Sequence, residues 1–322
     1  MLIEFSSYGF DCLFKRLPIF TTITAMNSAT ITSSQTGLSP RIMVCLAATW
    51  LVWGSTYLAI KYALISFPPF FQMGTRFLAA GVLLAAWMRW RGAAWPAPRQ
   101  WLNALVIGAL MLGGGRGFTA TAEQTVGSGL VVAFIAVIPL MTAALNLFWK
   151  VIPTRLEMLG MAVGLAGVLM LMQGQGFSAS PIGLLAISIA CVTWSLGSVL
   201  SQRVFPLAPG AMGFASEMLA GGVVLILISL LRGEAMQWPP QPQALGAWVY
   251  LVIFGSLIGF NAYMVLLAEA PSGLATSYSF VNPVIAMLLG VAIAGEKISG
   301  FEWAAAGVVL MGVVLLLKGR RS

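Results

Sequence analysis

No histidine occurs anywhere in this chain, and charged residues make up only 8% of it. The first absence removes the commonest general base and the commonest metal ligand. The second argues against a soluble fold, because a soluble domain carries about 25% charged residues. Cysteine is almost as scarce. Cys12, Cys45 and Cys191 stand far apart and form no Cys-x-x-Cys spacing, so they suggest neither a metal site nor a disulfide framework. They read as a tail residue and two small packing residues. Also missing are His-Glu-x-x-His, Gly-x-Ser-x-Gly and the phosphate loop Gly-x-x-x-x-Gly-Lys-Ser/Thr. No carboxylate pair sits at i, i+3 or i, i+4 within an apolar run. A membrane enzyme and an ATP-driven pump thus lack their usual chemistry, and no cofactor or metal is implied.

What remains is apolar: 59% of 322 residues, with a net charge of +8. That excess is not a nucleic-acid signal, because the basic residues sit at the ends of apolar runs. Those runs cover 42–62, 70–90, 101–122, 128–148, 156–173, 181–201, 211–231, 244–268, 273–294 and 302–318. Ten segments of about 20 apolar residues read as ten spanning helices, since lipid tolerates no open backbone structure. Breaks carry Pro, Gly and charge, as at Pro68-Pro69, Trp95-Pro96-Ala97-Pro98-Arg99 and Trp238-Pro239-Pro240. Residues 1–40, rich in Ser and Thr, read as a mostly disordered cytoplasmic tail without signal-peptide order, and either Met1 or Met26 is the true start. Residues 319–322 form a short C-terminal tail.

The loop charges choose an orientation. With both termini cytoplasmic, 12 Lys and Arg fall inside, 3 (Lys61, Arg232, Lys297) fall outside, and Arg76 and Arg116 lie within spans, accounting for all 17. That is a strong positive-inside pattern. Trp87, Trp90, Trp95, Trp101 and Trp248 lie near span ends and form the interfacial belt.

The two halves repeat. Trp53 aligns with Trp194 at an offset of 141, which brings Arg76 onto Glu217 and Gly81 onto Gly222. Ala122-Glu123 falls on Ala268-Glu269, Ser128-Gly129-Leu130 on Ser272-Gly273-Leu274, Pro139 on Pro283, and Glu157 on Glu302. A unit with an odd number of spans, repeated in tandem, must insert its second copy upside down. The sequence therefore predicts an all-α polytopic membrane protein made of two inverted five-helix repeats, 41–175 and 176–318. This is an architecture of secondary transporters.

The residues also carry a family resemblance. Trp53-Gly54-Ser55-Thr56-Tyr57, Gly74-Thr75-Arg76-Phe77 with Leu78-Ala79-Ala80-Gly81, then Ala122-Glu123, Ser128-Gly129, Pro139 and Glu157 resemble an EamA-type unit. Ala275-Thr276-Ser277-Tyr278, Val281-Asn282-Pro283-Val284 and Gly295-Glu296 resemble its second copy. Together they are similar to the drug/metabolite transporter superfamily, nearest the YedA-like inner-membrane exporters. The resemblance implies a cavity surrounded by the first four helices of each half, with the fifth helices peripheral. It also implies export of small metabolites, amino acids or drugs. One position departs from the pattern: Arg116, between Gly115 and Gly117, stands where similar proteins often have a neutral amide.

Charges within spans are the first site candidates, because each is costly in lipid and faces a cavity or a partner. Arg76 and Glu217 are repeat mates, but inversion puts them roughly 12 Å apart along the membrane normal, too far for contact. Arg76 reads mainly as structural, capping carbonyls or reaching outward. Glu217 reads as structural or as a titratable carboxylate coupled to protons. Arg116 is either a clamp for a substrate carboxylate or phosphate, or a partner of Glu123 seven residues later on the same helix face. Trp53, Tyr57, Trp194, Asn261, Tyr263, Tyr278 and Asn282 fall at mid-span, where rings stack on a substrate and amides fix its polar groups; helix packing is the plainer role. Pro139 and Pro283 break the fourth helices of both halves, as gating hinges or as a demand of the fold. The sequence thus reads as an inner-membrane secondary transporter of a small molecule, monomer or homodimer, working by alternating access. A facilitative carrier or importer is the alternative within the class, and a membrane enzyme, scaffold or channel the alternative outside it.

Overall fold

A computed structural model describes residues 38–126, 128–173, 180–294 and 299–319. The expected tail (residues 1–37, with Cys12 and Met26) and residues 320–322 lie outside them. All regular structure among the described residues is helical. The first half comprises α1 (Pro40–Ala63), α2 (Pro69–Trp90), α3 (Pro98–Gly108) continuing through a π-helical segment π1 (Ala109–Gly117) into α4 (Phe118–Ala122), α5 (Ser128–Ile135), α6 (Ile138–Asn146) and α7 (Arg155–Leu171). The second comprises α8 (Pro181–Arg203), α9 (Ala211–Leu231), α10 (Pro242–Tyr250) continuing through π2 (Leu251–Phe260) into α11 (Asn261–Glu269), α12 (Ser272–Ala275), α13 (Tyr278–Ala294) and α14 (Gly300–Gly319).

Local chemistry starts these helices at matching places. Ser39 and Ser180 cap α1 and α8, accepting from the amides of Ile42 and Gly183 at 3.3 and 3.0 Å, and a proline follows each cap at the first helical position, where its missing N–H costs nothing. Thr154 with Glu157, and Ser299 with Glu302, build reciprocal capping boxes for α7 and α14. Each pair of caps occupies equivalent positions in the two repeats.

Among the described residues eight helices are long and apolar enough to cross a membrane. The fourth and fifth apolar runs of the first half fall short of that length. The fourth is interrupted at Ala136-Val137 and leaves only Ala133–Trp149 as a shorter apolar stretch, and α7 has 17 residues. Length and composition thus carry eight of the ten expected spans. Leu51, Val82, Leu83, Ile182 and Leu185 point their side chains outward from the bundle, as a lipid-facing girdle requires.

The packing shows how the halves are related. The most extensive contacts join repeat mates: α2 with α9, and α7 with α14. A Cβ at Gly81 would lie 2.9 Å from Leu219, one at Gly222 2.8 Å from Leu78, and one at Gly74 2.8 Å from Ile226. As one helix ascends the other descends, so α2 and α9 are antiparallel. The same holds for α7 and α14, where Gly160 meets Leu316 and Gly167 meets Val309. Equivalent helices running antiparallel place the second half upside down relative to the first. Small residues let these backbones approach closely. The remaining contacts exchange accordingly: α1 packs on π2 and α13 of the other half, and α8 on π1 and α6. One large buried cluster fills the centre, and a smaller one lies beneath α7 and α14 at the side.

Candidate functional site

At the junction of the halves four aromatic rings cluster, and two of them hold one cation. Trp53 on α1 and Trp194 on α8 meet edge to face, with centroids 5.7 Å apart. Tyr263 on α11 packs 5.1 Å from Trp53 and 5.2 Å from Trp194. Tyr278 on α13 packs 4.7 Å from Trp53 and 5.5 Å from Tyr263. The Arg116 guanidinium sits in the corner of the two indoles, its Cζ 4.2 Å from the Trp53 centroid and 4.3 Å from that of Trp194. Each indole needs a glycine on the opposite half. A Cβ at Gly259 would meet Trp53 at 2.5 Å, and one at Gly115 would meet Trp194 at 2.8 Å. The π-helical turns carry these glycines; such turns widen a helix and recur at functional sites.

Two of the rings are held by polar anchors. Trp53 Nε1 donates to the Gly255 carbonyl oxygen at 3.2 Å, and the Tyr263 hydroxyl lies 2.8 Å from Ser198 Oγ. Arg116 is not anchored in that way: its Nε and Nη2 are buried without a hydrogen-bond partner. Those two atoms form the side-on edge with which an arginine grips a carboxylate bidentately. Beside them lies a cavity of about 20 Å³, lined by Tyr57, Arg116, Thr119, Cys191, Trp194 and Tyr278 among others. That volume holds about one water.

The structure corrects or places the other candidates. Arg116 and Glu123 make no ion pair, and both Glu123 oxygens are also buried without a partner; the helix holds them too far apart along its axis. Asn261 turns its amide back onto the Leu257 carbonyl at 2.7 Å, so it stays off the cavity wall. Asn282 lies beside the Tyr57 hydroxyl. Arg76 donates from Nε to Ser256 Oγ at 3.2 Å and lies over Phe77. Glu217 is fully buried in α9, and neither carboxylate oxygen has a hydrogen-bond partner. Arg76 and Glu217 do not touch.

The paired hinges are also corrected. Pro139 stands in the first turn of α6, directly after the interruption. Pro283 lies inside the continuous helix α13. The second-half interruption falls earlier, at Thr276-Ser277, where Thr276, Ser277 and Ser279 hydroxyls bond back to the carbonyls of Ser272, Leu274 and Thr276. Hydroxyls that compete for backbone carbonyls bend a helix without help from proline.

Sequence reasoning missed three contributors. Thr119 and Cys191 line the cavity; Thr119 lies one turn after Arg116, the signal that pointed to it, whereas Cys191 looked like plain packing. The third is a closure at each end. Arg41 on α1 pairs with Glu269 on α11 at 2.9 Å. At the equivalent place in the other half, Ser180 Oγ donates to Thr125 Oγ1 at 2.8 Å. The central cavity therefore lies between two equivalent seams at opposite ends of the bundle.

Comparison with known proteins adds the class. The pattern of the EamA-like transporter family matches residues 39–173 and again 181–318. Over 276 residues the chain is 43% identical to the uncharacterized inner membrane transporter YedA of Escherichia coli strain K12, covering 85% of this chain and 90% of that one. It is 24% identical to an uncharacterized transporter of Archaeoglobus fulgidus, covering 88% of this chain and 99% of that one. A crystal structure of a protein 24% identical superposes with a TM-score of 0.73, covering 88% of this chain and 98% of that chain, and so shares the fold.

Proposed function

We propose that this chain, which belongs to the EamA-like transporter family, carries small metabolites bearing a carboxylate across the inner membrane by alternating access. One observation carries the reading: the unpartnered Nε–Nη2 edge of Arg116, buried where the two inverted halves meet. A buried guanidinium edge without a partner is a costly arrangement. A substrate carboxylate with two acceptor oxygens matches it. The surrounding rings offer flat, apolar contact for the rest of a small solute. The cavity is far smaller than any such solute, so loading requires the halves to part. Opening the Arg41–Glu269 seam or the Ser180–Thr125 seam in turn supplies the two access states.

Export is the direction assigned here, from the resemblance to exporters, with both termini on the cytoplasmic side from the loop charges. Proton coupling through Glu217 is a second reading, favoured by its full burial with both oxygens unpartnered. Purified protein in liposomes tests the central reading. Counterflow of labelled amino acids or other small carboxylates is the expected result. Chemical conversion of the solute, or counterflow of neutral and cationic solutes only, overturns it.

A further inference from the structure

Electron-rich rings that converge on one point form a receptor for an organic cation. In this chain two indoles, backed by two tyrosines, make such a receptor, and it is already filled. The cation is Arg116, tethered to π1 and 4.2–4.3 Å from two indole centroids, with Tyr263 packed against both indoles and Tyr278 against that of Trp53. We propose that Arg116 is a built-in occupant of an aromatic cation cage and sets the charge preference of the carrier. While it is in place, the cage rejects organic cations through occupancy and like charge, and turns only its hydrogen-bonding edge to the solute. Without it, the same rings become a binding site for small guanidinium or quaternary ammonium ions.

Three features support this assignment over simple packing. Two of the walls are hydrogen-bonded independently of the arginine, Trp53 to the Gly255 carbonyl and Tyr263 to Ser198, and Trp194 is wedged between Gly115 and Tyr263, so removing the cation leaves them in position. Glycine at 115 and 259 leaves room only for the indoles, which fixes the cage from behind. Among the described residues Arg116 takes no carboxylate partner and donates no hydrogen bond from its buried Nε and Nη2, so the rings are the chief contacts of its guanidinium. The proposal rests on the reading of this junction as the substrate site, and adds that a single residue switches the class of solute.

The test is a gain of binding. Full-length wild type, Arg116→Ala and Arg116→Lys are purified in detergent and titrated with ethylguanidinium and with tetramethylammonium, followed by tryptophan fluorescence and calorimetry. Arg116→Ala is expected to bind both cations at least tenfold more tightly than wild type. Arg116→Lys, which keeps the charge, should resemble wild type. If Arg116→Ala does not fold, Arg116→Gln replaces it, filling more of the space without charge. A neutral variant that is monodisperse and helical yet gains no affinity overturns the proposal, as does wild type binding the cations equally well. The two readings fail separately: absent carboxylate counterflow with a cation gain removes only the anionic substrate, and the reverse pattern removes only the cage.

Discussion

At the scale of single residues, the centre of this protein is decided by unmatched polar atoms. Arg116→Ala should lower counterflow of carboxylate-bearing solutes roughly tenfold or more, because hydrogen bonds to a charged group contribute about 1.5–3 kcal/mol each. Neutral solutes should lose less, and a uniform loss would assign Arg116 to the scaffold. Glu217→Gln should abolish flux driven by a pH gradient and spare counterflow. Equal loss of both, with normal folding, would make Glu217 structural. The sequence exposed these two residues because a charge within an apolar run is conspicuous whatever its surroundings. Trp53, Trp194 and Tyr278 were visible through the repeat and mid-span position. Their convergence on Arg116 was not, since it depends on rotamers and on glycines in two distant helices. Asn261 shows the opposite case: a mid-span amide looks like a ligand, and here its Nδ2 bonds to its own helix.

At the scale of elements, the helices were legible and their interruptions were not. Apolar length and flanking Pro or Gly located every run, whereas glycines mark the π-helical stretch of the first half (Gly113 to Gly117) but do not by themselves specify a π-helix, and the second stretch is marked still less. Proline misled in the second half, where a cluster of hydroxyl residues at Thr276–Ser279 makes the bend. The α7–α14 pair offers a sharp contrast for mutation. A Cβ at Gly312 would lie 2.5 Å from the Gly164 backbone nitrogen, while one at Gly307 meets nothing within 4 Å. Gly312→Leu should therefore destabilise the protein by about 1–3 kcal/mol through overpacking. Gly307→Ala should be neutral or stabilising by up to about 1 kcal/mol, as expected for an open helical position. Thermal unfolding in detergent separates them; equal effects would refute the close approach of the two backbones.

At the scale of the whole molecule, the two halves are inverted, as the odd span count predicts and the antiparallel repeat mates show. In a cysteine-free background, Gln237→Cys and Ala94→Cys occupy loops that follow the second helix of each half. An impermeant maleimide should label Gln237→Cys on intact cells and Ala94→Cys only after permeabilisation. Labelling of both from one side would end the inverted assignment. Within that frame Trp53 and Trp194 are interchangeable walls, but the residue they enclose belongs to one half alone, and no cation stands at the corresponding place in α11, where Ala262 follows Asn261. On the proposed function, a solute held by Arg116 travels with the first half whenever the two halves rock. The forward and return strokes are then mechanically unlike, so half-saturating concentrations measured from the two faces of the membrane should differ. A carrier assembled from matched parts thereby acquires unequal faces from one unmatched side chain.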